Sequence, residues 1–71
     1  MFTYEIHDTF NDKIISRHRT LEKAVRADVK FRRMVQRNNP PGSYIPTVIR
    51  RDGEPLSDAE ENEVMAMERD L

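Results

Sequence analysis

The first residues of the chain alternate. In "FTYEIHD", Phe2, Tyr4 and Ile6 fall on one side and Thr3, Glu5 and His7 on the other. This two-residue period, rich in aromatic and β-branched side chains, predicts a strand. "TFNDK" supplies turn chemistry, because Asn11 and Asp12 tolerate left-handed backbone and bond back to nearby amides. "KIISRHR" then predicts a second strand and a hairpin. Its register stays open: Ile14 and Ile15 are adjacent, so one of them faces away from the core.

A helical period begins at Leu21. Thr20 is a suitable N-cap, and Glu22 lies in the first turn where the helix dipole favours an acid. The helix is expected to run to about Asn38. "NNPPG" ends it, since Pro cannot continue a helix and disfavours helical backbone at Asn39. "SYIPTVIRR" predicts a third strand, with Pro46 on an edge because it has no N–H to give a neighbour. "DGEP" reads as a turn or linker. "SDAE" is a capping box, Ser57 as N-cap and Glu60 at N3, which opens a second helix from Asp58 to about Arg69.

The order β-β-α-β-α predicts an α+β fold. A right-handed crossover through the long helix places the third strand beside the first, giving a three-stranded antiparallel sheet of order 2-1-3. The most apolar strand is then central. One long helix covers one sheet face. Residues 1–51 form the ββαβ core domain, and residues 52–71 a turn and an acidic C-terminal helix of the same domain.

At about 100° per residue, the long helix has three faces. Lys23, Arg26, Lys30, Arg33 and Arg37 make one cationic stripe that no acid interrupts, with Glu22 at its border. Ala24, Ala27, Phe31, Met34 and Val35 make an apolar arc, and Leu21, Val25 and Val29 a second. Asp28 and Arg32 lie between the arcs. This pair has two readings. It is a simple i,i+4 helix salt bridge. Alternatively, Leu21, Val25, Asp28, Val29 and Arg32 form a seam where the two arcs meet different partners, one of them the second helix or a second protomer.

Composition sharpens the picture in one respect. Net charge is −1, yet residues 1–51 carry +6 and residues 52–71 carry −7. A basic body bears an acidic tail. With 71 residues and no cysteine, the chain allows one domain with a small core and no disulfide. Oligomerisation would add burial. The start has neither a basic n-region nor an apolar h-region, and no apolar run approaches the ~20 residues of a membrane span. A soluble, cytoplasmic protein is expected, with no membrane partner.

Catalytic chemistry is sparse. His7 and His18 on neighbouring strands, near Asp8 and Asp12, match no metal-binding spacing. Two glycines make no phosphate loop, and few serines and histidines leave little for a triad. Neither an enzyme, a cofactor nor a metal is expected. Two binding classes remain. The first is a non-enzymatic module acting by protein–protein contact or self-association as a homo-oligomer, its charge division steering the encounter. The second is a nucleic-acid-binding accessory protein, in which the helix stripe, widened by Arg50 and Arg51 and by Lys13, Arg17 and Arg19, neutralises phosphates. Phe2, Tyr4 and Tyr44 are candidates for base stacking, or for core. The tail is expected to lie on the domain, mask the stripe, or offer acids and methionines to another protein.

Overall fold

A computed structural model of the chain describes residues 2–40 and 46–71. The hairpin forms from β1 (Tyr4–Asp8) and β2 (Lys13–His18). Its turn is organised by Asp8, whose carboxylate accepts from the backbone N–H groups of Phe10 and Asn11, both at 3.0 Å, and from Asn11 Nδ2 at 2.7 Å. Asp12 adopts φ 52°, a left-handed conformation that Asp tolerates. Asp8 is buried, so these donors replace the water its charge has lost.

A bulge settles the isoleucine question. His7 pairs with Ile14 and Ile6 with Ser16, so Ile15 is the extra residue of β2. Ile15 packs against the core, while Ile14 lies opposite His7 and is exposed.

Helix α1 (Leu21–Asn38) starts where Thr20 Oγ1 accepts from Lys23 N–H at 3.2 Å, and ends at extended Asn39. Strand β3 (Thr47–Arg51) pairs antiparallel with β1, Ile6 opposite Ile49. Residues 43–45 of the expected third strand lie outside the described residues. Pro46 precedes β3, and its carbonyl accepts from Thr9 N–H at 3.0 Å and Thr9 Oγ1 at 3.2 Å.

Among the described residues the sheet has four strands, not three. Its order is β2-β1-β3-β4, with β4 (Glu54–Pro55) antiparallel to β3. Asp52 and Gly53 between them have φ 50° and 82°. Positive φ at both central positions makes a two-residue hairpin whose twist matches that of the strands. "DGEP" is therefore a hairpin turn and its return strand, rather than a turn or linker.

Helix α2 (Asp58–Arg69) opens on both halves of the Ser57–Glu60 capping box. It lies on the same side of the sheet as α1, and its last turns pack against α1. The core between these layers is Ile6, Leu21, Ala24, Val25 and Ile49, closed by half-buried side chains that include Ile15, Leu56, Val64 and Met67. Full burial of Ile6 and Val25 contributes about 1.5–3 kcal/mol each. No residue of α2 is buried. Register places Glu5, His7, Ile14, Arg17, Val48 and Arg50 on the opposite sheet face. No helix among the described residues is long and apolar enough to cross a membrane.

Candidate interaction surface

The burial of Leu21, Ala24, Val25 and Asp28 turns the opposite side of α1 to solvent. Lys23, Arg26, Lys30, Arg33 and Arg37 are all exposed there, along about 21 Å of helix. Lys23, Lys30 and Arg37 have no ion-pair partner among the described residues. Arg26 meets Glu22 at 3.1 Å, but both side chains are well exposed, and such a pair contributes only a few tenths of a kcal/mol. Arg33 Nη2 donates to the main-chain oxygen of Leu71 at 2.7 Å. Arg26, Lys30, Arg33 and Arg37 rim a shallow hollow of about 380 Å³ with Val29, Met34 and Leu71 as its apolar part.

Arg50 and Arg51 do not extend this stripe. Successive residues of a strand point to opposite faces. Arg50 lies on the open sheet face, opposite Glu5 and Pro55. Arg51 points to the helix side, where Nη1 is 3.2 Å from Glu60 Oε1 and the guanidinium stands 4.5 Å over the Phe2 ring. Tyr4 donates to Glu60 Oε2 at 3.4 Å. Ser57 N–H holds the Glu60 carboxyl below its usual range, outweighing burial, with help from the Ser57 hydroxyl and Arg51. Burial and the Glu60 charge raise the Tyr4 phenol above its ordinary value. Arg17 also stays on the open face, 3.3 Å from Glu5 Oε2. Burial pushes the Glu5 carboxyl up, but hydrogen bonds from His7 and Arg17 bring it below its usual range.

The seam residues are joined across three elements. Thr47 Oγ1 of β3 donates to Asp28 Oδ1 at 2.7 Å. Arg32 Nη2 lies 3.1 Å from Asp28 Oδ2 and 2.7 Å from Glu68 Oε1 of α2. Arg32 Nε is buried and has no partner among the described residues. Leu21 and Val25 are buried, Val29 is half-buried, and Val64 and Met67 of α2 pack into the same cluster. A hollow of about 230 Å³ opens between β3, α1 and α2, with Asp28, Arg32 and Thr47 facing Leu56, Val64 and Glu68. Sequence pattern singled out Asp28 and Arg32 but missed Thr47 and Glu68, which reach the pair only through tertiary contact.

The outer side of α2 complements α1 in charge. Asp58, Glu61 and Glu63 are exposed and have no ion pair among the described residues, Met65 is 55 % exposed, and Arg69 is the one exposed cation of the helix. Glu60 and Glu68 are the acids of α2 paired with the body. His7 and His18 fall on opposite sheet faces, since His7 lies opposite Ile14, and His18 opposite Tyr4. Among the described residues no cluster of His, Asp and Glu has the makings of a metal site. Comparison with protein-family models, with curated proteins and with solved structures finds no match for this chain.

Proposed function

We propose that this chain is a small non-enzymatic binding module whose working surface is the outer face of α1, and that it takes an acidic, partly apolar protein surface. The observation that carries the reading is the exposed row of Lys23, Arg26, Lys30, Arg33 and Arg37, which is unmixed in sign and stands beside Met34, itself 50 % exposed. An ordinary solvated helix face mixes both signs. A cationic rim beside a flexible apolar side chain suits a partner that offers carboxylates around a hydrophobic anchor. The same cations are available to nucleic-acid phosphates, but the exposed methionine and the acids of α2 favour protein. Cations at the rim of an interface set encounter rate and orientation more than final affinity.

The test is fluorescence anisotropy with a labelled helical peptide bearing Glu and Leu on one face, titrated with salt, and with duplex DNA and single-stranded RNA as parallel probes. Lys30→Glu with Arg37→Glu is the variant of choice, because neither side chain has an ion-pair partner in the described fold. The expected result is peptide binding that weakens with salt and falls about tenfold or more in the variant. Binding of DNA or RNA with steep salt dependence, with none of the peptide, would move the surface to the nucleic-acid reading.

A further inference from the structure

We infer that the acidic surface taken by α1 is α2 of a second copy of this chain, so that two copies pair by reciprocal contact of α1 on α2. The inference rests on the protein-binding reading above and names its partner. It starts from a mismatch inside one molecule. Residues 1–51 carry +6 and residues 52–71 carry −7, yet the structure joins few of these charges. Arg32–Glu68 and Arg51–Glu60 are the ion pairs that link α2 to the body among the described residues.

The other acids of α2 form no ion pair within one copy among the described residues. Leu56, Val64 and Met67 turn inward to the core, which leaves Asp58, Glu61 and Met65 exposed along one flank of α2 at helical spacings of three and four. Glu61 and Met65 also line the hollow beside Arg32, and exposed Arg69 lies one turn further on. Leu21, Ala24 and Val25 turn inward from α1, which holds Lys30 and Arg37 outward in the same way. Each copy thus offers a cationic row with Met34 and a shorter acidic row, Asp58 and Glu61 with Met65, that ends at Arg69, and each row lacks what the other supplies. A two-fold contact satisfies both rows at once, because residue i of one copy meets residue j of the other and the reverse. Net charge of −1 leaves almost no overall repulsion between copies. Met34 and Met65, about half exposed in one copy, supply apolar area at the centre.

The experiment is sedimentation equilibrium across protein concentration, at low and at high salt, on the full chain. The expected wild-type result is a dimer at low salt that dissociates at high salt. Lys30→Glu with Arg37→Glu, and separately Asp58→Lys with Glu61→Lys, are each expected to lose the dimer, and a mixture of the two variants to regain it. Circular dichroism confirms that each variant keeps wild-type helix content. If a reversal unfolds α2, the neutral pair Asp58→Asn with Glu61→Gln replaces it, with a weakened dimer expected. A wild type that stays monomeric at low salt overturns the inference, as does a dimer that both reversals leave intact. If the wild type is monomeric but α1 still binds the acidic peptide, only this inference fails; if neither association occurs, the reading beneath it fails as well.

Discussion

Asp28 shows how one side chain can tie three elements together. It is 5 % exposed, accepts from Thr47 and pairs with Arg32, which in turn holds Glu68. Asp28→Ala leaves the Thr47 hydroxyl without its acceptor and Arg32 half-paired. Its expected cost is about 1–3 kcal/mol, read from the urea midpoint. Thr47→Val removes the same hydrogen bond from the other end and is expected to cost about 1 kcal/mol. The double variant should fall short of the sum of the two, since both remove one contact. Three other carboxylates set the acid limit of stability. Asn11 side-chain and backbone donors hold Asp8 below its ordinary value of 3.8, and Glu5 and Glu60 lie below theirs of 4.5. A carboxylate depressed in the folded state stabilises the fold above its unfolded pKa, and that stability is lost as pH falls through the folded value. The urea midpoint is therefore expected to drop once pH falls below about 4, and Asp8→Asn to flatten part of that limb. Tyr4 acts at the other end. Its raised pKa gives stability that is present below about pH 10 and lost as pH rises beyond it.

Among the elements, those with strong local signals were legible in the sequence. Thr20 and Ser57 fix the starts of α1 and α2 through caps that involve neighbours within three residues, and the Pro after Asn39 ends α1. Long-range features were less accessible. The bulge at Ile15 depends on pairing with β1, and β4 depends on the return of the chain after Asp52–Gly53. The Asp-Gly pair was the available signal for that hairpin, but a two-residue strand is too short to show a period. Gly53→Ala places a Cβ at φ 82°, and its expected cost is about 1–2 kcal/mol with loss of β4 amide protection in hydrogen exchange. Ser57→Ala removes the capping box from a helix that has no buried residue. Its expected cost is about 1 kcal/mol, with faster amide exchange in α2 before any change in β1.

For the whole molecule, the division of charge was readable from a count, but its geometry was not. Sequence pattern placed the five stripe cations on one face of α1 and also grouped Arg50 and Arg51 with them; strand alternation sends those two to opposite sides of the sheet instead. Nor did the pattern reveal where α2 docks, with Val64 and Met67 against the core, Glu60 and Glu68 paired to the body, and Asp58, Glu61 and Glu63 left exposed. The account therefore turns on two exposed rows of opposite sign, Lys23 to Arg37 on α1 and Asp58 with Glu61 on α2, with the open sheet face of Glu5, His7, Ile14 and Val48 as the competing surface. The most direct measurement follows backbone amide chemical shifts at low salt as protein concentration rises. The account predicts that shifts near Lys30, Arg33 and Arg37 and near Asp58, Glu61 and Met65 move together, and that high salt reverses them. Shifts confined to Glu5, His7, Ile14 and Val48, or none at any concentration, would contradict it.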